Sequence, residues 1–375
     1  MKKIITVVGA RPQIIKAAAF SRAVKKLGTS KLQEVLVHSG QHYDEGMSQV
    51  FFDEMGIPAP AHNLSVGSGS HASQTARIME GLERVFLQEK PTAVLVYGDT
   101  NTTLAAALVA SKLFIPVIHV EAGLRSFNKR MPEEINRIAT DHVSTLLFAP
   151  TQTAIDNLKR EGFSMETVQA PSIDEPLVLA SGDVMYDNAI HFSNKPEGKS
   201  FVENLGLKHG GYAVATIHRD NNTDNPERLS GILEALKQWS SQHAMPVVLP
   251  AHPRLLKFLN PAEQLALQEA GLRLLPPAGY VHMIALLASS CLVFTDSGGL
   301  QKEAYFVQRP CVILRPETEW VELTQGGHAI VADSDTRRIL NAANHLMQQS
   351  FENWTRLYGD GTAAEQICNA IIQYL

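Results

Sequence analysis

The chain has 375 residues, of which 45% are hydrophobic and 19% charged, and its formal net charge is −5. This composition excludes a disordered chain, which is poor in apolar residues and carries a high net charge. It gives no sign of the broad basic surface that binds nucleic acid. Single hydrophobic cores stop growing beyond about 250–300 residues, so the length favours two domains.

The apolar runs and the cysteines disfavour several further classes. The longest apolar runs, such as residues 104–113, are interrupted well short of the ~20 residues that cross a bilayer. The start turns polar at Arg11 without a small-residue cleavage site, so a signal peptide is not expected. Cys291, Cys311 and Cys368 lie far apart without a C-x-x-C motif. They disfavour a disulfide framework and a zinc site, and they favour a reducing cytoplasm.

Short apolar runs alternate with helical patterns in the first part of the chain. Strands are predicted at residues 4–9, 35–38, 93–97, 117–120 and 146–148. Helices are predicted after the first strand through residue 25, and at residues 102–113 and 132–144. This alternation predicts a parallel sheet covered by helices on both faces.

The pattern weakens between Gly162 and Gly211, where prolines accumulate, and this stretch is the best linker candidate. Regular alternation then resumes, with a helix at residues 225–242 that Pro226 starts. Strands are predicted at residues 212–217, 246–249, 272–275, 292–295 and 311–314. The pattern therefore predicts two similar α/β domains.

Ligands of doubly wound sheets bind beyond the carboxyl ends of the strands, so the residues after each strand are informative. The first such turn lacks both G-x-G-x-x-G and G-x-x-x-x-G-K-[ST], so neither a dinucleotide site nor a P-loop is indicated. It places Arg11 at a helix start and Lys16 in the first turns, where both can reach an anion. Surface cations on an ordinary turn are the alternative. After the second strand, His38 and His42 show no third metal ligand nearby, so a polar loop or a substrate contact is favoured over a metal.

Three acidic residues, Asp99, Glu121 and Glu133, fall at strand ends or in adjoining loops. Asp99 follows one strand, although it could simply cap the next helix. Glu121 leaves an apolar strand, where burying a charge is costly. Glu133 and Glu134 open a helix, where acidic residues commonly complement the helix dipole. Three carboxylates at one edge of a sheet suit proton transfer better than passive anion binding.

The second half of the chain offers cations and a glycine turn. His218 and His252 each follow a strand and are accompanied by an arginine. The segment from Ser297 through Gly298 and Gly299 links a strand to a helix, so backbone amides and the helix N-terminus can approach a phosphate. Glu303 lies further along that helix, within reach of a ribose. This combination favours a nucleoside diphosphate.

Together these segments resemble the non-hydrolysing UDP-N-acetylglucosamine 2-epimerases. The matching segments are residues 9–16, 98–100, 119–125, 132–137, 295–299 and 358–361, which cover essentially the whole chain. The resemblance implies an α/β fold of two Rossmann-like domains facing across a cleft, as in GT-B glycosyltransferases, with a C-terminal helix that crosses back to the first domain. The expected bounds are 1–175 for the first domain, 176–355 for the UDP-binding domain and 356–375 for the returning helix. Hinges are expected near residues 183–188 and at the C-terminal crossover.

The implied reaction inverts C2 of a UDP-2-acetamido sugar, as from UDP-GlcNAc to UDP-ManNAc, for surface polysaccharide precursors. The family is described as eliminating UDP to give a glycal and re-adding it after a proton returns on the other face. No carbonyl activates C2, so removal of its proton must be coupled to departure of UDP. The resemblance implies no metal and no nicotinamide, and the expected protein is a cytoplasmic homodimer without nucleic-acid or membrane partners.

Residue by residue, the resemblance implies catalytic roles for Asp99, Glu121, Glu133 and His218. It implies substrate or UDP binding by Arg11, Lys16, Gln41, His252, Ser297, Gly298, Gly299 and Glu303. Which carboxylate serves which face of C2 stays open.

One segment departs from the parent pattern. The parent enzymes carry Glu-Arg-Pro-Glu after the last strand, whereas this chain has Glu-Trp-Val-Glu at residues 319–322, preceded by Thr318. This version looks more like the branch that acts on UDP-2,3-diacetamido-2,3-dideoxy-glucuronate. A loop with Arg125, Lys129 and Arg130 could meet a sugar carboxylate, or equally phosphates or solvent. A hydrolysing relative that releases free ManNAc, a non-catalytic UDP-sugar sensor and a GT-B glycosyltransferase are the other hypotheses.

Overall fold

The computed structural model describes residues 1–28, 30–40, 52–350, 354 and 356–375. These residues form two compact units, Met1–Asn188 with Arg356–Leu375 and Ala189–Thr355. Each unit holds one parallel sheet flanked by helices, which confirms the predicted two-domain α/β fold. None of the helices in the described ranges has the length and apolar character needed to cross a membrane.

The sheet of the first unit has seven strands in the order β3-β2-β1-β4-β5-β6-β7. The strands are β1 Lys2–Val8, β2 Leu32–His38, β3 His62–Asn63, β4 Ala93–Tyr97, β5 Val117–Val120, β6 Leu146–Ala149 and β7 Leu177–Ala180. The helices are α1 Arg11–Leu27, α2 His71–Glu89, α3 Asn101–Lys112, α4 Pro132–His142, α5 Gln152–Arg160 and α6 Val184–Ser193, which passes into the second unit. The central strands are buried throughout and mostly apolar, because helices cover both faces of the sheet.

The sheet of the second unit has six strands in the order β10-β9-β8-β11-β12-β13. The strands are β8 Ala213–Thr216, β9 Val247–Pro250, β10 Leu272–Leu275, β11 Leu292–Thr295, β12 Cys311–Ile313 and β13 Ala329–Val331. The helices are α7 Pro196–Asn204, α8 Asp220–Thr223, α9 Pro226–His243, α10 Pro253–Leu256, α11 Pro261–Glu269, α12 Tyr280–Ser289, α13 Gly298–Phe306, α14 Val321–Gln325 and α15 Thr336–Gln348. One core cluster, which includes Trp239 and Phe294, packs α9 and α15 against this sheet.

Both sheets have a topological switch point, at which successive strands are added on opposite sides. In the first unit β1 lies beside β4, and in the second unit β8 lies beside β11. Connections leave such a point in opposite directions, which opens a crevice beyond the carboxyl ends of the two strands. The predicted site residues Arg11, Asp99, His218 and Ser297 follow these four strands.

The last helix, α16 Ala363–Tyr374, lies in the first unit, which confirms the predicted return of the C-terminal helix. Lys2 Nζ donates to the carbonyl oxygens of Ile371 and Ile372 at 3.0 and 2.6 Å. At the other end of the helix, the Asp187 carboxylate accepts from the amides of Ala363 and Ala364 at 3.1 and 2.8 Å. Burial raises the pKa of Asp187 to about 6.

The stretch predicted as a linker, residues 162–211, holds regular structure. It contains β7, α6 and α7, and the two units divide within α6, after Asn188. Two of the three prolines stand at element starts, whereas Pro171 lies in an irregular segment before β7. Pro176 precedes β7, and Pro196 occupies the first turn of α7, where its missing N–H leaves no helical bond unmade. The predicted hinge at residues 183–188 coincides with the beginning of α6.

Candidate active site

Asp99 and Glu121 follow neighbouring strands of the first sheet. Tyr97 at the end of β4 is in register with Val120 at the end of β5, and the Gly98 amide donates to the Val120 carbonyl at 3.0 Å. The register therefore brings the two predicted carboxylates to one edge of the sheet.

Glu121 is nearly buried and forms an ion pair with Lys16 of α1. Gly98 lies against this pair in the left-handed region, at φ +62°. A Cβ at Gly98 would lie 3.3 Å from Glu121 Oε2 and 3.4 Å from Lys16 Nζ. Glycine is needed here both for the backbone conformation and for the space that the ion pair occupies.

The first turn of α1 is held by Gln13. Its side-chain oxygen accepts from the Gly9 and Ala10 amides at 2.9 and 3.2 Å, and its nitrogen donates to the Tyr97 carbonyl at 2.9 Å. These bonds tie the β1 turn to the end of β4. Arg11 lies at the exposed start of α1, as the sequence predicts.

Asp99 is not the capping residue of α3. The N-cap is Thr100, whose side chain accepts from the Thr103 amide at 3.3 Å. The Asp99 carboxylate instead forms an ion pair with Arg137 of α4. Asn136 adds a bond to the Asp99 carbonyl at 2.9 Å, so α4 holds the residue from two sides. Arg137 was not among the residues to which the sequence pattern assigned a role.

The two acidic residues at the start of α4 differ in environment. Glu134 is buried and accepts from the amides of Ser126 and Phe127 at 2.8 and 2.9 Å, which fixes the preceding loop. Glu133 is exposed and makes no hydrogen bond or ion pair with the described residues. Glu133 is therefore accessible to a ligand, whereas Glu134 fixes the loop before α4.

Of the three cations in the loop before α4, Arg125 is not available to a ligand. Its side chain is 1% exposed and contacts Asp141 at 2.7 Å and Glu161 at 2.6 Å. Lys129 and Arg130 are exposed.

The two histidines that the sequence suggested as part of a polar loop or a substrate contact, His38 and His42, lie at the end of β2 and shortly after it in the chain. His38 is buried, and its Nδ1 accepts from the Gly40 amide at 2.9 Å. Burial lowers the pKa of His38 to about 4. His42, like the predicted ligand-binding residue Gln41, lies outside the described residues. Within the described ranges, no group of three or more His, Cys, Asp or Glu side chains could hold a metal ion.

In the second unit, His218 is bound to Asp296. Its Nδ1 lies 2.9 Å from Asp296 Oδ1, and the amides of His218 and Arg219 both donate to Asp296 Oδ2 at 3.0 Å. Burial acts to raise the pKa of Asp296, but the hydrogen bond and charge of His218 outweigh it, and the pKa lies below its ordinary value. A carboxylate on Nδ1 orients a histidine for proton transfer or anion binding at Nε2.

His252 lies beside this pair, with its ring centroid 5.8 Å from that of His218. Its Nδ1 accepts from the Arg254 amide at 3.1 Å, which caps α10. Burial and the neighbouring charges of His218 and Arg254 lower the pKa of His252. Arg254 itself is bound to Asp224 at 2.5 Å, so the cation of this turn is engaged.

The glycine turn opens α13 with Ser297 as its N-cap. Trp320 braces the turn, because its indole nitrogen donates to the Gly298 carbonyl at 2.8 Å. Lys302 Nζ lies 4.2 Å above the Trp320 ring, a cation–π contact. Gly299 is exposed, and Glu303 is nearly buried further along the helix.

A second ion pair lies at the same turn. Arg315 donates to both oxygens of Glu319, at 2.9 Å to Oε2 and 3.1 Å to Oε1. A Cβ at Gly298 would lie 3.5 Å from Glu319 Oε2. The N-terminus of α13, where an anion is expected, therefore has a carboxylate against it.

Comparisons with known proteins identify the family of this chain. The sequence profile of UDP-N-acetylglucosamine 2-epimerase matches residues 25–372. The chain belongs to the UDP-N-acetylglucosamine 2-epimerase family. It is an isomerase, one of the epimerases that act on UDP-sugars.

Individual relatives span nearly the whole chain. The UDP-2,3-diacetamido-2,3-dideoxy-D-glucuronate 2-epimerase of Pseudomonas aeruginosa is 46% identical over 97% of this chain and 98% of its own. The UDP-N-acetylglucosamine 2-epimerase of Methanococcus maripaludis is 39% identical over 99% and 98%. The crystal structure of the Methanocaldococcus jannaschii UDP-GlcNAc 2-epimerase in complex with UDP-GlcNAc and UDP has a TM-score of 0.77 and 35% identity, covering 98% of this chain and 99% of that one.

Proposed function

We propose that this epimerase inverts C2 of UDP-2,3-diacetamido-2,3-dideoxy-glucuronate without net hydrolysis, by eliminating UDP and adding it back. A base takes the C2 proton, the C2–H electron pair forms the C1–C2 double bond of a glycal, and the C1–O pair leaves with UDP. In the return step a UDP oxygen attacks C1 while C2 receives a proton on the opposite face.

The ion pair between Lys16 and Glu121 is the observation that carries the elimination step. Departure of UDP places negative charge on phosphate, which a cation stabilises, and removal of the proton needs a base. The arriving diphosphate competes with Glu121 for the Lys16 ammonium. A carboxylate released from a cation accepts a proton more readily, so binding of the leaving group prepares the base.

The remaining roles are assigned by the groups each residue presents. Asp99 and the exposed Glu133 are the further proton-transfer groups of the first unit. His218, oriented by Asp296, stabilises the departing phosphate. The turn of Ser297, Gly298 and Gly299 binds the diphosphate, as the N-terminus of a helix favours anions.

Two features support the diacetamido-uronate as the sugar. The Pseudomonas aeruginosa enzyme named for that substrate shares 46% identity. Two Methanococcus maripaludis relatives, a UDP-N-acetylglucosamine 2-epimerase homolog and a UDP-N-acetylglucosamine 2-epimerase, share 42% and 39%. Lys129 and Arg130 offer two exposed cations to a sugar carboxylate, which UDP-GlcNAc lacks. UDP-GlcNAc is the second candidate, because several relatives carry its name over the full length.

Product analysis tests the non-hydrolysing reaction. We expect ³¹P and proton NMR to show the 2-epimer still attached to UDP, with only traces of free UDP at equilibrium. Free sugar that accumulates at the same rate as UDP would instead assign the hydrolysing reaction. A requirement for an acceptor molecule would assign glycosyl transfer.

The homodimer and the cytoplasmic location stay predictions. Gel filtration with light scattering tests the homodimer.

A further inference from the structure

A buried carboxylate, Asp141, lies close to the ends of β4 and β5 in the first unit. Asp141 of α4 is completely buried, and three donors surround it. His119 Nδ1 lies 2.6 Å from Oδ1, while Arg125 Nη1 and the Gly123 amide lie 2.7 and 3.1 Å from Oδ2. Burial acts to raise the pKa of Asp141, but the charges and hydrogen bonds of His119 and Arg125 outweigh it, and the pKa lies below its ordinary value.

His119 carries this network to the neighbouring strand end. Its ring is completely buried, and Nε2 lies 2.8 Å from the Gly98 carbonyl oxygen. Both ring nitrogens therefore face oxygen acceptors, a carboxylate and a carbonyl, and each contact is a hydrogen bond only if that nitrogen carries a hydrogen. Neither nitrogen is left for a substrate.

The groups held by the network adjoin the two carboxylates. Gly98 immediately precedes Asp99, and Gly123 follows Glu121 by two residues. Glu121 itself has φ +71°, in the left-handed region. A non-glycine residue in that region is strained and persists only when its surroundings fix it. The bond from the Gly123 amide to Asp141 fixes the backbone on the far side of that strained residue.

We propose that Asp141 and His119 are positioning residues, which set the separation of Asp99 and Glu121 without touching substrate. The inference rests on the proposed function, because it assigns those two carboxylates to proton transfer. Misplacing a reacting group by about 1 Å can cost ~10² in rate, so the network acts on the chemical step and not on affinity.

Asp141→Asn tests the inference. The amide offers one acceptor oxygen in place of two for three donors, so the bonds to His119 and Gly123 cannot all be kept. We expect kcat to fall about 100-fold, with the Kd for UDP within threefold of the wild-type value. A kcat within threefold of wild type, measured per folded protein, would overturn the proposal. His119→Asn, which cannot span Asp141 and the Gly98 carbonyl, should show the same split, and it serves if the first variant does not fold.

A matched control is available in the same unit. His62 Nε2 lies 2.9 Å from Glu89 Oε1, a histidine–carboxylate pair outside the network. His62→Asn should lower the melting temperature while kcat stays unchanged. If His62→Asn lost as much kcat as His119→Asn, the network would contribute only to stability, and the positioning role would be overturned.

A measurement that does not depend on turnover distinguishes failure of this inference from failure of the proposed function. ¹⁵N NMR of the wild-type protein should show both ring nitrogens of His119 bearing hydrogen, and a ring with one bare nitrogen would overturn the network. A wild-type protein that turns over neither UDP-sugar would instead contradict the proposed function, while the NMR result still decides the network.

Discussion

Lys16 and Glu121 form an ion pair that joins the helix after β1 to the end of β5. The two residues are 105 positions apart in the chain, and parallel packing of the intervening strands brings them together. One cation thereby contacts the proposed base, at the place where the first turn is expected to receive phosphate.

The first prediction concerns Glu121→Gln. The amide keeps the shape of the side chain but cannot accept a proton, so exchange of the C2 hydrogen with solvent deuterium should fall by about 10²–10⁴. Binding of UDP, measured by calorimetry, should be retained or tightened because Lys16 is released. Glu89→Gln, which removes the partner of Lys3, should leave exchange unchanged. Deuterium exchange that survives Glu121→Gln would refute the catalytic role.

The second prediction concerns the carboxylate at the glycine turn. Glu319→Gln removes a negative charge beside the N-terminus of α13 and frees Arg315, so UDP should bind about two- to fivefold more tightly. The matched control is Glu317→Gln, two positions earlier and also exposed, which should leave the Kd unchanged. Weaker binding by Glu319→Gln would mean that the ion pair itself shapes the UDP site.

The third prediction concerns the sugar carboxylate. Replacing Lys129 and Arg130 together by Gln should lower kcat/KM for the diacetamido-uronate about tenfold or more, since a charge-assisted hydrogen bond is lost. The value for UDP-GlcNAc should change little. Lys159 and Arg160 form an equivalent exposed pair on α5, and their double replacement by Gln is the control. Equal losses on both sugars would assign the loop to the phosphates.

The fourth prediction concerns pH and the C-terminal helix. The pKa of Asp187 is about 6 in the folded protein, because of burial, against an ordinary value of 3.8. The folded state therefore holds this proton more tightly than the unfolded state, and stability falls as the pH rises from about 4 to about 6. Asp187→Asn removes that term, so its melting temperature relative to wild type should rise over this range and stay constant above it. A difference that does not change with pH, or that falls, would contradict the assignment.

The sequence predicted the strands and the residues that follow them because strand-end positions repeat with the βαβ pattern. It could not predict the partners of those residues. Arg137 lies on a helix 38 positions after Asp99, and Asp296 lies 78 positions after His218, so no local pattern connects them. Asp141 and Arg125 lie in segments whose sequence is typical of a solvated helix and a solvated loop. Only the fold buries them together, with His119 of β5 also in contact with Asp141.

The dipole interpretation of the two acidic residues on α4 illustrates the same limit. Helix-start statistics treat Glu133 and Glu134 alike, whereas the structure buries one against the loop at residues 126–127 and exposes the other. The direction in which each side chain leaves the helix decides this difference, and it depends on what packs beside α4. The prolines of residues 162–211, the stretch in which the two units divide, show a related limit. Composition does not distinguish a proline that begins an element, such as Pro196, from one in an irregular segment, such as Pro171.

We propose that this chain epimerises C2 of a UDP-diacetamido-uronate by proton exchange with solvent. The most direct measurement is a side-by-side reaction of UDP-2,3-diacetamido-2,3-dideoxy-glucuronate and UDP-GlcNAc in deuterium oxide, followed by proton NMR. We predict formation of the 2-epimer with deuterium at C2, faster for the diacetamido-uronate. Epimer formation without deuterium incorporation would contradict the proposed proton exchange, and turnover of UDP-GlcNAc alone would contradict the proposed substrate.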